Sequence, residues 1–174
     1  MNPHLTDYNE WERTDYMMVV ASMAGVDGKI SSEEVFALRE LCKTFVLGPD
    51  SRGQVMAAAT TPPDDLEDII KRLATSALKY SLLVDLAAMA YRDSVLTDSE
   101  KAEYDRLATL LSVSPEHSGA ILKFAESLFA PGYTPARASE SLDKLDKTGV
   151  PRSAMSISAT MMALGLAGPV EAHL

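Results

Sequence analysis

The sequence has 174 residues, a length that suits one domain with a substantial core and is too short for two full domains joined by a linker. Hydrophobic residues make up 47% of the chain and charged residues 24%, the balance of a folded protein and not of a disordered one. The formal net charge of −9 argues against nucleic acid and against an anionic membrane surface as direct partners, because both are bound through basic surfaces.

Cellular location is indicated by the cysteine count and by the hydropathy of the two ends. The single cysteine, Cys42, has no partner for an internal disulfide, so nothing points to an oxidising compartment. Residues 1–13 are polar and lack the basic start and apolar core of a secretory signal. Residues 153–170 are uncharged, but their serine, threonine, glycine and proline content makes them too polar to span a bilayer. We therefore expect a cytoplasmic protein.

Helical spacing of apolar residues dominates the pattern along the chain. Proline is absent from residues 4–48 and 64–114, which leaves room for long helices. No segment alternates with a period of two residues, so the fold class is all-α, a helical bundle of about seven helices. In chain order the predicted helices centre on residues 17–24, 35–45, 66–73, 82–89, 104–111 and 121–128, with two shorter ones over about 49–59 and 138–145.

The last part of the chain is predicted to be an appendage to this bundle. We assign residues 1–130 to a helical domain and residues 131–174 to a C-terminal helical extension or tail. On a helix, the end of the chain would present a face of small residues surrounded by apolar bulk, and leaving that surface in water would be unfavourable. It is therefore expected to dock on the bundle or on a second copy of the protein, giving a homodimer. The small residues are Ser156, Thr160, Ala163 and Ala167.

An internal repeat is the most informative feature. A shift of 66 residues lays residues 17–42 over residues 83–108. Each copy then reads helix, aspartate, apolar residue, hydroxyl cap, glutamate, helix, and the spacing of hydroxyl and glutamate is that of a capping box. The repeat predicts a duplicated helix-loop-helix.

At these residues the sequence resembles the TerB-like family, which includes proteins of bacterial tellurite-resistance clusters and the N-terminal domain of a membrane-anchored DnaJ-type co-chaperone. The matching text is MAGVDGKISSEE at residues 23–34 and, more loosely, MAYRDSVLTDSE at residues 89–100, where Ser94 replaces the glycine of the first motif. The resemblance spans roughly residues 10 to 130. It implies an all-helical, non-enzymatic module linked to stress response and envelope-associated complexes, with acidic residues near two equivalent loops at a site suggested to bind metal. It also implies protein partners, some at the inner membrane, to which the chain would be peripheral.

The acidic residues that bracket the two loops are the candidate site: Asp27, Glu34, Asp93 and Glu100. If a pseudo-twofold brought the loops together, the four carboxylates would repel one another unless a cation or protons neutralised them. An all-oxygen ligand set suits calcium, magnesium or manganese better than a soft ion. The alternative is structural: the glutamates reach back to the N-cap amides, and the aspartates end helices in loops that favour this residue type.

Three functional hypotheses follow. The first is a non-enzymatic module that binds a divalent cation at its acidic loops, and the second is a purely scaffolding protein-interaction domain without metal. The third is a carboxylate–metal enzyme, which we disfavour, because the sequence contains neither a phosphate-binding loop motif nor a nucleophile elbow. No catalytic residue is predicted.

Three further side chains are assigned to structural environments. Cys42 lies on the apolar stripe of its helix and is predicted to be a core residue. Asp85 is predicted on a solvated face, since burying a lone carboxylate is costly. His117 is predicted to lie at the surface, in the first turn of a helix.

Overall fold

The computed structural model describes residues 8–25, 30–91 and 96–150. Throughout these ranges the regular secondary structure is helical, which confirms the all-α prediction. The described residues form eight helices, where about seven were predicted: α1 Glu10–Ala24, α2 Ser32–Thr44, α3 Pro49–Thr60, α4 Leu66–Leu73, α5 Leu78–Tyr91, α6 Asp98–Leu110, α7 Pro115–Phe129 and α8 Pro135–Lys147.

Contacts divide the described residues into two compact units, one within residues 8–73 and the other within residues 74–150. In the first unit α1 is the central helix and packs most extensively against α3, then against α4 and α2. Its core includes the rings of Tyr16 and Phe45, whose centroids are 5.0 Å apart. Cys42 is 1% exposed, which confirms the prediction that it is a core residue.

In the second unit α7 contacts α5, α6 and α8. Helix α5 is apolar almost all round and is buried continuously from residue 81 to residue 88. Asp85 is therefore only 5% exposed, and the prediction of a solvated face is wrong. The reason is that every direction from such a helix leads to packed side chains, so a polar residue on it has no solvated face to occupy.

Helix α8 packs against α7 and buries Ala138, Leu142 and Leu145. The proposed division of the chain near residue 130 stays a prediction. Residues 151–174, with the small-residue face expected to dock, lie outside the described residues.

The repeat is visible in the helix boundaries of the two units. Ser32–Thr44 and Asp98–Leu110 are offset by 66 residues at both ends, and Pro49 and Pro115 begin the next helix in each unit at the same offset. The contact pattern is repeated as well: the first helix of each unit packs mainly on the third, and the second packs on both. The duplication thus extends beyond the predicted hairpin into a third helix.

The same turn ends the second helix of each unit. After α2, the amide of Val46 donates to the carbonyl of Lys43 and the amide of Leu47 donates to that of Cys42, each at 3.0 Å. This is the Schellman arrangement, which needs a left-handed residue and usually has glycine there. Val46 has a φ of 55°, and its counterpart Ser112 has a φ of 56°.

Replacing Val46 with glycine is expected to raise the free energy of unfolding by about 1 kcal/mol, because a left-handed conformation is costly for a branched side chain and free of strain for glycine. Little packing is lost, since Val46 is 58% exposed. Urea denaturation of the full chain measures the change. Ser112→Gly is the control and should give a smaller gain, because serine is not branched at Cβ. A lower urea midpoint for Val46→Gly than for the unaltered chain would show that the left-handed backbone at Val46 is not strained.

Candidate functional site

Two of the four predicted acidic residues close capping boxes at equivalent helix starts. At α2 the Oε1 atom of Glu34 accepts from the amide of Ser31 at 3.3 Å, and the Ser31 hydroxyl accepts from the amide of Glu34 at 3.1 Å. At α6 the corresponding distances between Glu100 and Thr97 are both 3.2 Å. Glu34 and Glu100 therefore satisfy helix N-terminal amides as the structural alternative predicted.

The capping boxes leave part of each carboxylate unused. All of these bonds are made by Oε1, and in the part of the chain that the structure describes Oε2 of Glu34 and of Glu100 has no hydrogen-bond partner. A carboxylate can accept at both oxygens, so capping and ligation are compatible. Among the described residues, each glutamate thus has one carboxylate oxygen that the capping box does not use.

Asp27 and Asp93 lie in residues 26–29 and 92–95, outside the described residues. Glu34 and Glu100 belong to different units. Among residues 8–25, 30–91 and 96–150 no group of three or more histidine, cysteine, aspartate or glutamate side chains is placed to hold a metal ion. The four-carboxylate metal site stays a prediction.

A groove between α2 and α3 was not identified from the sequence. Its cavity volume is about 500 Å³. Phe36 is 66% exposed there, and it lies off the apolar stripe of α2, a signal that could have marked it as a surface aromatic. The lining residues are Phe36, Arg39, Glu40, Cys42, Lys43, Pro49, Arg52, Gly53 and Met56. We call this feature the α2–α3 groove.

The one thiol at the groove is a poor nucleophile. Burial raises the pKa of Cys42, and the nearby positive charge of Arg52 opposes that rise only in part. The thiolate is the reactive form, so a raised pKa leaves Cys42 mostly as an inert thiol near neutral pH. Its position is that of a packing residue.

His117 lies in the first turn of α7, as predicted, and its side chain is half-buried. Its Nε2 atom lies 3.1 Å from the carbonyl oxygen of Thr148, and its ring meets Tyr80 edge-on with centroids 6.4 Å apart. The histidine joins the start of α7 to the turn after α8.

The ion pair between Asp15 and Arg72 in the first unit joins a buried carboxylate to a half-exposed guanidinium. Arg72 of α4 approaches both carboxylate oxygens of Asp15 on α1, at 3.1 to 3.2 Å. Burial raises the pKa of Asp15 more than the attraction of Arg72 lowers it. The pair ties α1 and α4 together, so we assign it a structural role.

None of the described helices is both long enough and apolar enough to cross a membrane.

The helix order, the repeated contacts and the paired capping boxes define a duplicated all-α domain. The sequence model of a family described as tellurite resistance protein TerB matches residues 13–123, which is more than half of the chain. The chain belongs to the TerB family, which confirms the resemblance found in the two loop motifs. Neither a curated protein nor a solved structure matches it.

Proposed function

We propose that this chain is a non-enzymatic TerB module of a stress-response or envelope-associated assembly, and that it binds a divalent cation at its two acidic loops. The observation that supports the cation is that Oε2 of Glu34 and of Glu100, at the same position of the repeat, has no hydrogen-bond partner among the described residues. The module acts in the cytoplasm and reaches the inner membrane only through a protein partner.

The chemistry of the loops favours a hard cation. Each glutamate stands in the first turn of its helix, directly after a loop that contains an aspartate, Asp27 in one copy and Asp93 in the other. Carboxylates held near one another repel, and a bound ion relieves that repulsion. Oxygen ligands alone suit calcium, magnesium or manganese.

A second candidate function is a scaffolding domain without metal. It is favoured by the two complete capping boxes, which give Glu34 and Glu100 a sufficient structural role. In that case the acidic loops only begin and end helices. A carboxylate–metal enzyme, the third hypothesis, gains no support from the arrangement of the described side chains.

Titration with calcium, magnesium, manganese and zinc separates the first two candidates. A cation that binds only the folded chain is expected to raise the free energy of unfolding by about 2.7 kcal/mol at a hundred times its dissociation constant. Melting curves and calorimetry on the full chain measure this. The response should fade in Asp27→Asn, Glu34→Gln, Asp93→Asn or Glu100→Gln.

The control variant is Glu33→Gln, which removes one negative charge from the same helical turn but lies outside the capping box. It should keep the cation response. Glu34→Gln retains a side chain suited to the box, so its stability without metal should change by no more than about 0.5 kcal/mol. A flat titration with all four ions would eliminate the cation site and leave the scaffolding function.

A further inference from the structure

Each unit contains an interface between its second and third helices, which we call the seam. The two seams, α2–α3 and α6–α7, differ in sequence. In the second unit the hydroxyl of Tyr104, buried on α6, donates to the carbonyl of Ser118 on α7 at 2.7 Å. In the first unit the equivalent positions, 66 residues earlier, hold Leu38 and Arg52. The same pair of helices is therefore joined by the Tyr104 hydrogen bond in the second unit, whereas the first unit has the exposed Arg52 at the position of Ser118.

The side chains that open the α2–α3 groove have no chemical equivalents in the second unit. Phe36, Arg39 and Lys43 of α2 are replaced in α6 by a small, an acidic and a neutral residue. These counterparts are Ala102, Asp105 and Thr109. The aromatic and basic character of the groove is thus not required by the repeat fold.

The charge of the groove is opposite to that of the protein. Its lining carries Arg39, Lys43 and Arg52 against one acidic residue, Glu40, in a chain whose net charge is −9. Lys43 pairs with Glu40 at 3.1 Å. Arg39 and Arg52 are exposed and form no ion pair with any residue that the structure describes. Two guanidinium groups are therefore available to carboxylates of a ligand.

Part of the groove lining is apolar. Phe36 is largely exposed, Met56 is half-buried, and Pro49 belongs to the same lining. An exposed aromatic beside a flexible thioether is a surface that accepts an apolar side chain. Inorganic phosphate would gain nothing from these apolar side chains, and a flat anionic bilayer fits neither the concave shape nor the overall negative charge.

Space for a peptide backbone is provided by Gly53 on α3. A Cβ built on this residue meets no atom within 4 Å, so the surface above it is open. The volume of about 500 Å³ lies within the range of binding pockets. A chain lying across Gly53 would share the groove with the two arginines and with the apolar side chains of Phe36 and Met56.

We propose that the α2–α3 groove binds an acidic peptide segment of a partner protein, with carboxylates on Arg39 and Arg52 and one apolar side chain against Phe36 and Met56. The proposal rests on the function of the chain as an interaction module. It does not depend on the cation at the acidic loops.

The test begins with selection of binders to the full chain from a displayed random peptide library in the presence of EDTA. Fluorescence anisotropy then measures the affinity of the selected peptides. We expect them to be enriched in aspartate and glutamate around one large apolar residue, and to bind more weakly as salt is raised. The doubly substituted Arg39→Glu, Arg52→Glu chain should lose about tenfold or more in affinity.

Two glycine variants make the test independent of folding. Gly53→Gln fills the open space over α3 and should lower the affinity by about tenfold or more, while the melting temperature rises because glutamine is the better helix former. Gly119→Gln makes the same change at the equivalent position of α7, where a Cβ also meets nothing within 4 Å. It should raise the melting temperature and leave peptide affinity unchanged.

Several results would overturn the proposal: no binder selected, binders without carboxylates, equal effects of the two glycine variants, or self-association of the chain that depends on Arg39 and Arg52. Binding to phosphatidylglycerol vesicles that is lost in the arginine variant, with no peptide bound, would replace it with a membrane surface. EDTA keeps the peptide measurement free of cations, so the two proposals fail separately. Peptide binding with a flat cation titration would contradict only the cation site, and a cation response without peptide binding would contradict only the peptide-binding groove.

Discussion

Replacing Gly25 with alanine is expected to lower the free energy of unfolding of the first unit by about 3 kcal/mol. Gly25 follows α1, where the backbone comes into close contact with α3. A Cβ built on Gly25 would overlap the carbonyl oxygen of Ala59 and would lie 2.9 Å from its carbonyl carbon. Backbone atoms of a helix have no rotamer with which to move aside, so α1 and α3 would have to separate, and these are the most extensively packed helices of the unit.

Urea denaturation followed by tryptophan fluorescence measures this effect, because the single tryptophan, Trp11, belongs to the first unit. The matched control is Gly53→Ala, the same chemical change on α3 where the surrounding space is open. It should raise the free energy of unfolding by about 0.5 to 1 kcal/mol. Equal midpoints for the two variants would show that α1 and α3 are not in contact at Gly25.

Replacing Leu142 with alanine is expected to lower the free energy of unfolding of the second unit by about 3 kcal/mol. Leu142 is fully buried on α8, and removing its branched end leaves a cavity beneath that helix. Circular dichroism during urea denaturation of the full chain follows the loss. Ser139→Ala, at an exposed position of the same helix, should change the stability by no more than about 0.5 kcal/mol.

The outcome also bears on where the domain ends. A large effect of Leu142→Ala would show that α8 is part of the core of the second unit. An effect as small as that of Ser139→Ala would instead make α8 a detachable extension and support the predicted division near residue 130.

The helices could be predicted because their signals are local. The apolar stripe of α2 at Leu38, Cys42 and Phe45 is buried as its spacing indicates, and the capping boxes of Glu34 and Glu100 form where the hydroxyl and glutamate spacing places them. Each signal depends only on residues within a turn or two of one another, so no knowledge of the tertiary structure is needed.

Other features depend on what packs against a helix, which one sequence does not contain. Asp85 was assigned to solvent because its residue type prefers water, yet residues 81–88 of α5 are all buried. The α2–α3 groove was missed because periodicity identifies the buried stripe of a helix and says little of the rest. Asp27 and Asp93 lie outside the described residues, so the loop half of the candidate cation site stays a prediction.

The divergence of the two seams has a consequence for how this protein can evolve. In a domain with one copy of a surface, substitutions that improve recognition compete with those that maintain packing. Here the α6–α7 seam carries the buried Tyr104 hydrogen bond, while the equivalent seam of the first unit carries charged and aromatic side chains. Stability and binding can therefore be assigned to different copies of one repeated structure, so that substitutions at the exposed side chains of the α2–α3 groove leave the buried contacts of the other copy in place.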